Sequence, residues 1–194
     1  MPVPSGASEA LEITMATSNL HKVEEANYVL KPFGVRLVAR DIKGDEVQSF
    51  EPSVVAKASL EAAMKKFDRP LVVEDTGLFI DALNGFPGAL AAYVHKSIGL
   101  QGILKLLEGV ENRKAHFDAA VAYGAPPGRI WVFTGRVYGR ISLKEAGSGG
   151  FGFDPLFVPE GFDKTFAEMS LEEKSKISHR ALAFRRLGVW IARG

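Results

Sequence analysis

The amino-acid sequence predicts an α/β fold in which a mixed β-sheet, parallel in one part and antiparallel in the other, is flanked by helices. Two observations lead to this prediction. Apolar and β-branched segments alternate with helical ones in the order β-α-β-α-β along the first part of the chain. Two segments of period-two alternation then flank a turn rich in glycine and proline, a pattern typical of an antiparallel hairpin, and a helix ends the chain.

The predicted elements of the first part have ordinary start and stop signals. Pro32 disfavours helical geometry in the residue before it and Gly34 follows, so we expect the first helix to end at Lys31. The second helix opens at Pro52, because proline fits the first turn of a helix. The predicted strands are 11–16, 35–39 and 71–73, and the predicted helices run from the turn 17–20 to residue 31 and over 52–66.

Loops rich in glycine and proline separate the elements of the second part. Ser170 and Glu173 fit a capping box, so we expect a helical tail from Ser170 onward. The other predicted elements are a loop at 84–88, a helix at 98–107, a hairpin of strands 115–123 and 130–138, and a flexible loop at 147–152.

The length of the chain indicates the number of domains, and its net charge indicates which classes of partner are excluded. The chain has 194 residues, enough for one domain with a buried core. We expect residues 1–10 to form a flexible lead-in and residues 11–194 to form a single domain. The formal net charge of +1 argues against nucleic acid or an anionic membrane as the main partner.

Several kinds of site and segment are missing from the sequence. There is no cysteine, which excludes disulfides, thiolate metal sites and a cysteine nucleophile. No apolar run approaches the ~18 residues that span a bilayer, and the first residues lack the basic and apolar regions of a secretory signal. We therefore expect a cytoplasmic protein without a membrane partner.

The first candidate site is the turn Thr17–Lys22, between a predicted strand and a helix. Backbone N–H groups at a helix N-terminus, with a lysine in the first turn, can hold a phosphate. The side chains that the turn offers are Thr17, Ser18, Asn19 and Lys22. The alternative is a capped helix start with an exposed lysine.

The second candidate is the carboxylate pair Glu74 and Asp75, which Thr76 follows. Sites of α/β proteins gather at the carboxyl ends of strands, and carboxylates there act as general bases or hold Mg²⁺. Glu46 is the candidate for a second carboxylate from a neighbouring segment. In the alternative interpretation, Glu74 caps a loop and Glu46 is a solvated surface acid.

The third candidate is the glycine-rich segment that contains Phe151, Gly152 and Phe153. Two aromatic rings separated by a glycine can offer a ring face to a flat base, and the glycine allows close approach. The alternative is a turn whose phenylalanines pack in the core, and core packing is what we expect of Phe153.

The fourth candidate is the segment 172–180. From Lys174 to the C-terminus the chain carries six lysines and arginines and no acid. Such a concentration of positive charge suits a polyphosphate. The alternative is a solvated basic helix face, to which the three arginines after residue 184 are assigned, and a structural role for His179.

Together the four segments offer cations, carboxylates for a divalent metal and an aromatic platform, which a nucleoside triphosphate requires. Their order and spacing also resemble those of the Ham1-like inosine triphosphate pyrophosphatase family. The resemblance covers Leu11 to Leu187 and rests on these motifs: Thr17–Lys22, Glu74–Leu78 followed by Asp81–Leu83 and Phe86–Gly88, Gly150–Pro155, and Lys174–Arg180.

The resemblance implies hydrolysis of the α–β phosphoanhydride of ITP, dITP and XTP with Mg²⁺, which gives a nucleoside monophosphate and pyrophosphate. It also implies an elongated fold of two lobes with a central substrate cleft, and a homodimer. By position, Asp75 matches the catalytic base and a metal carboxylate, and Glu46 matches the second metal carboxylate. The implied substrate contacts are Thr17, Ser18, Asn19, Lys22, Lys57, Thr76, Phe151, Gly152, Phe153, Asp154, Lys174, His179 and Arg180.

This chain departs from the family pattern at four positions. Ser18 stands where glycine is usual, Thr76 replaces the commoner serine, and two further departures are Phe153 for tyrosine and Ser175 for asparagine. We still expect an active enzyme, because Asp75 is retained.

Two other functions compete with this interpretation. One is a broader nucleotide pyrophosphatase of the Maf type, against which the sequence Ser178-His179-Arg180 argues. The other is a nucleotide-binding regulator without catalysis, against which the retained carboxylates Glu46, Glu74 and Asp75 argue.

Overall fold

The computed structural model describes residues 10–42, 47–125 and 128–194, which form one mixed sheet and five α-helices. The strands are β1 (Leu11–Ala16), β2 (Val35–Arg40), β3 (Leu71–Ile80), β4 (Pro87–Gly88), β5 (Lys114–Ala125), β6 (Arg129–Ile141) and β7 (Phe157–Pro159). The helices are α1 (Leu20–Leu30), α2 (Pro52–Met64), α3 (Ala91–Leu106), α4 (Leu171–Ile177) and α5 (His179–Ile191). The predicted α/β class is confirmed.

The sheet has a parallel part and an antiparallel part, as predicted. Its order is β2-β1-β3-β5-β6-β7, and the short β4 pairs with β3. Strands β2, β1 and β3 are parallel, and each pairing from β3 onward is antiparallel. The predicted hairpin is confirmed, since β5 and β6 are paired along their length. The pairing starts where Ala125 faces Arg129 and ends where Lys114 faces Arg140. Its residues 126 and 127 lie outside the described part of the chain.

Strand β3 is longer than predicted, and this moves the carboxylate pair. The prediction that the strand ends at Val73 was wrong, because β3 stays paired with β5 up to Ile80. Leu71 faces Gly124 at one end of this pairing, and Ile80 faces Ala115 at the other. Buried Leu78 and Ile80 anchor its second half. Glu74 and Asp75 therefore lie in the middle of a long central strand rather than in a loop at its end.

The helices lie where they were predicted, but several of their bounds differ from the prediction. Helix α1 passes into a 3-10 turn at Lys31–Phe33, and Gly34 ends it in the left-handed conformation at φ 67°. Helix α3 starts at Ala91 instead of residue 98 and is interrupted at Gly99. The helical tail consists of two helices, because Ser178 is extended and its hydroxyl caps α5 by accepting from the N–H of Ala181 at 3.2 Å. The capping box of Ser170 and Glu173 is confirmed.

The apolar core is divided along the long strand β3. Val72 packs with α1 and α5, whereas its neighbour Val73 packs with α2. Successive side chains of a strand point to opposite faces, so these helices cover both faces of the sheet. Leu78 and Ile80 belong to a separate cluster that includes residues of α3. Residues 74–77 lie between the two halves of this core, where a polar site interrupts the apolar packing.

In the described part of the chain, no helix is long and apolar enough to cross a membrane.

Candidate active site

A cavity of about 250 Å³ lies beside the middle of β3 and brings together most of the predicted site residues. Those that line it are Asn19, Lys22, Asp75, Thr76, Phe151, Gly152, Phe153, Asp154, His179 and Arg180. Lys174 is buried and bonds to one of these residues, Asp154, through its Nζ at 2.6 Å. Residues far apart in sequence thus meet at one place, as expected.

The turn before α1 uses its side chains to fix the start of the helix. The Asn19 Oδ1 accepts from the backbone N–H of His21 at 3.1 Å and of Lys22 at 3.3 Å, and Thr17 Oγ1 accepts from the N–H of Asn19 at 3.1 Å. Ser18 is exposed. Neither Thr17 nor Ser18 lines the cavity, so among these residues Asn19 and Lys22 are the ones that the structure places at it.

Asp75 presents a buried carboxylate oxygen without a partner. Its Oδ2 is inaccessible and has no hydrogen bond within the described residues. Burial raises the pKa of Asp75 to about 7; the ammonium of Lys22 opposes this rise, and the Glu74 carboxylate adds to it. A carboxylate that titrates near neutral pH is suited to accept a proton from a reacting group.

Glu74, the neighbouring carboxylate, forms ion pairs with two cations. Its Oε2 lies 2.7 Å from Lys22 Nζ, and its Oε1 accepts from Arg180 Nε at 3.1 Å and from the Thr76 hydroxyl. Burial alone would raise the pKa of Glu74, but Arg180 and Lys22 outweigh it and lower the pKa to about 2. The pKa values of the adjacent acids are therefore shifted in opposite directions: that of Asp75 is raised toward neutral pH, whereas that of Glu74 is lowered.

Glu25 is a site residue that sequence analysis missed. The sequence places it in the first turns of a helix, where an acid favours the helix dipole, but the structure buries it beneath the cavity. Its Oε1 lies 2.6 Å from Lys174 Nζ and its Oε2 lies 2.8 Å from Arg180 Nη1. One signal was available: Glu25 shares the apolar face of α1 with Ala26 and Val29.

Phe151 forms an aromatic platform held from several sides. The Arg180 Cζ lies 5.0 Å and the Lys174 Nζ 5.2 Å from its ring centroid, and the ring of His21 stacks on it at 5.4 Å. Its backbone N–H donates to Asp154 Oδ2 at 2.8 Å. These contacts hold the glycine-rich loop next to the site, and half-buried Phe151 lines the cavity.

Phe153 and His179 are two buried ring side chains of the cavity lining. Phe153 is buried in the core, as expected, and its ring meets His95 edge-on at 5.2 Å. His179 stacks on Phe117 at 4.5 Å, and neither of its ring nitrogens has a partner among the described residues. Burial, and then the nearby cations Arg180 and Lys174, lower the pKa of His179 far below its ordinary value. It is a neutral imidazole with one donor and one acceptor free for a ligand.

Besides Thr17 and Ser18, two further predicted residues are not brought to the cavity by the described structure. Lys57 is exposed on α2, where its Nζ lies 4.0 Å from Glu61. Glu46 lies outside the described residues. Their roles as a phosphate contact and a metal carboxylate stay predictions.

Helix α3 adds two polar side chains to the cavity that the sequence did not indicate. His95 and Lys96 both line it. The predicted helix began at residue 98, so neither side chain was expected on a helix facing the site.

This geometry is accompanied by a family match that covers most of the chain. The model of the Ham1 family matches residues 13–190. The chain belongs to the Ham1 family.

Relatives in the Ham1 family are similar over nearly their whole length. Two that are named dITP/XTP pyrophosphatase come from Thermococcus kodakarensis, 48% identical over 93% of this chain and 97% of that protein, and from Hyperthermus butylicus, 49% identical over 94% and 96%. The Ham1 protein of Staphylococcus aureus has a similar solved structure, with a TM-score of 0.80 at 30% identity over 93% of this chain and 97% of that chain. The HAM1 protein of Coxiella burnetii gives 0.83 at 27% identity over 95% and 100%.

Proposed function

We propose that this protein hydrolyses ITP, dITP and XTP to the nucleoside monophosphate and pyrophosphate. The observation that carries the proposal is the arrangement in one cavity of a partnerless carboxylate oxygen on Asp75 and an aromatic platform at Phe151. The names of the relatives, dITP/XTP pyrophosphatases, support it. The reaction, its substrates and the role of each side chain are inferred from this arrangement.

The base end of the cavity favours keto groups over amino groups. Arg180 has five N–H donors and no acceptor; its Nε, Nη1 and Nη2 each donate one bond, to Glu74, Glu25 and Thr76 respectively. Two N–H groups are left for a ligand. Hypoxanthine and xanthine carry a keto oxygen at C6, whereas adenine carries an amino group there that would face a donor. A buried donor left unpaired in this way lowers the reactivity of the wrong substrate by large factors.

Asp75 is the group that moves the proton in the proposed reaction. Its ionised carboxylate takes a proton from a water molecule, whose oxygen forms a bond to the α-phosphorus. The bond between the α-phosphorus and the bridging oxygen breaks, and the electron pair leaves with pyrophosphate. Lys22, 2.7 Å from Glu74, lies at the same wall of the cavity and faces the charge on the leaving group.

The oxygen donors of this site fit Mg²⁺. The inaccessible Oδ2 of Asp75 lacks a partner within the described residues, and carboxylate oxygens are the ligands that this ion prefers. No cluster of three or more acidic or histidine ligands occurs in the described part of the chain, and Glu46 is the proposed second ligand. When bound, the ion supplies charge neutralisation on the phosphate oxygens and the leaving group.

Product analysis separates the proposed reaction from its alternatives. With ITP and Mg²⁺, the protein is expected to release IMP and pyrophosphate in equal amounts, with no free phosphate. Hydrolysis of ITP in ¹⁸O-labelled water is expected to place the label in IMP, because water attacks the α-phosphorus. Equal activity on modified pyrimidine nucleotides would favour a broader Maf-type pyrophosphatase, and binding without turnover would favour a regulator.

We further propose a cytoplasmic homodimer built from a single domain, residues 11–194, with two lobes. The division of the core along β3 supports the two lobes. Exposed aromatic side chains at Phe50 and Tyr138 support an association surface. Light scattering on the purified protein tests the dimer, and a mass of one chain would refute it.

A further inference from the structure

Among the described residues, Lys96 is the lysine at the cavity for which the structure shows no ion pair. It lies on α3, lines the cavity and is exposed. Among the described residues that line the same cavity, the other lysine and the arginine are both held by acids: Lys22 by Glu74 at 2.7 Å, and Arg180 by Glu25 at 2.8 Å. Lys96 has no acid within ion-pair distance in the described structure.

Six charged side chains beneath and beside the cavity are paired with one another. The network contains three cations and three carboxylates, each bonded to at least one member of opposite charge: Lys22, Lys174, Arg180, Glu25, Glu74 and Asp154. The basic C-terminal segment therefore supplies less free positive charge than the sequence indicates, since Lys176 also pairs with Glu172 at 2.8 Å. A triphosphate, which carries several negative charges, needs an additional cation.

The start of α3 lies against the reacting part of β3. A Cβ built on Gly77 would be 3.0 Å from the backbone nitrogen of Ala89, just before the helix. Ala92 lines the cavity, and Lys96 follows it one helical turn later on the same face. Lys96 therefore lines the same cavity as Asp75, and its flexible four-carbon side chain can turn the ammonium toward a ligand bound there.

The direction of this helical segment is set by a break at Gly99. Its φ of 64° and ψ of −165° belong to a region that only glycine adopts readily. Beyond the break, Ile103 and Leu107 anchor the helix in the core. The segment of α3 before Gly99, which includes Lys96, can thus have a different axis from the segment after it and lie along the cavity.

We propose that Lys96 is a further substrate-binding residue that contacts the phosphate chain of the nucleotide. The inference rests on the proposed function for the identity of the substrate. The predicted contact is with phosphate rather than the base, because Lys96 offers a positive point charge with no ion pair in the described structure, and phosphate is the anionic part of the nucleotide.

Binding of inorganic tripolyphosphate, measured by calorimetry, tests the contact without requiring turnover. The Lys96→Gln variant is expected to bind tripolyphosphate roughly three- to tenfold more weakly than the unmodified protein. The control is Lys105→Gln, which removes an exposed lysine of the same helix away from the cavity. Equal affinities for the two variants, or no binding of tripolyphosphate by the unmodified protein, would overturn the proposal.

Kinetics then place the contact and separate it from the proposed function. With XTP, Lys96→Gln is expected to raise KM by a similar factor with little change in kcat, and inosine is expected to inhibit both proteins equally. Weaker inhibition of the variant by inosine would assign Lys96 to the base and overturn the phosphate contact. If the unmodified protein fails to hydrolyse XTP, the proposed function fails, while the tripolyphosphate measurement still decides the role of Lys96.

Discussion

Arg180 on α5 donates a hydrogen bond from Nη1 to Oε2 of Glu25 on α1, at 2.8 Å, with both side chains buried. The same carboxylate holds Lys174 through its other oxygen at 2.6 Å. One acid from the first helix therefore fixes two cations from the C-terminal segment. This arrangement orients the guanidinium before any ligand arrives, which is the kind of preorganisation that selective binding requires.

Replacing Glu25 is expected to destabilise the protein and weaken base selectivity. Glu25→Gln removes a buried anion and leaves Arg180 and Lys174 with too little negative charge, at a cost of about 3 kcal/mol in the free energy of unfolding. Urea denaturation measures the change, and the ratio of kcat/KM for ITP to that for ATP is expected to fall. The control is Glu24→Gln at an exposed position of the same helix. Equal stability of the two variants would contradict the role of Glu25.

Asp75 is expected to make the metal-free protein less stable as the pH rises. Burial raises its pKa from 3.8 to about 7, so the folded state keeps a proton that the unfolded state has lost in this range. Stability therefore falls as the pH rises from about 4 to about 7 and then levels off, and the loss is about 4 kcal/mol.

Asp75→Asn tests both the titration and the chemistry of this residue. In the presence of a chelator, the variant is expected to be more stable than the unmodified protein at pH 8 and similar to it at pH 4, by urea denaturation. With Mg²⁺ it is expected to lose kcat by roughly 10²–10⁴-fold while it still binds ITP. A fully active variant would remove Asp75 from the proposed reaction. Asp81→Asn, an exposed change at the end of β3, is the control.

Gly150 is expected to be essential for the aromatic platform. It adopts a φ of 66°, and an added Cβ would collide with the Asp154 carboxylate that accepts from the N–H of Phe151. Gly150→Ala is therefore expected to raise KM for ITP and to destabilise the fold. Gly152→Ala has a comparable φ of 61° but no atom near the added Cβ, so it bears only the backbone penalty of about 1–2 kcal/mol. Equal unfolding free energies for the two variants would show that the collision is unimportant.

Local sequence signals predicted much of this fold. Pro32 with Gly34 predicted the end of α1, and the Ser170–Glu173 capping box predicted the start of α4. The continuation of β3 could not be predicted in this way, because its polar residues 74–77 resemble a loop and are held by long-range pairing with β5. Local propensity yields to tertiary contacts in such a segment.

Site residues that belong to a sequence motif could be predicted. Site residues that reach the cavity only through tertiary packing could not. Asp75 and Phe151 follow from their motifs and line the cavity as expected. Glu25 was missed because an acid early in a helix has an ordinary explanation, and its burial depends on cations that lie more than a hundred residues away in the chain. Lys96 was missed because the start of α3 carries no clear capping signal.

The selectivity of the protein among purine nucleotides tests the proposed function. Pyrophosphate release by the purified protein with Mg²⁺ would be measured for dITP, XTP, dATP and ATP under identical conditions. We expect kcat/KM for dITP and for XTP to exceed that for dATP and for ATP by at least about 100-fold, because Arg180 donates to the keto oxygen at C6, whereas the amino group of adenine faces a donor. Comparable values for all four nucleotides would contradict the proposed function.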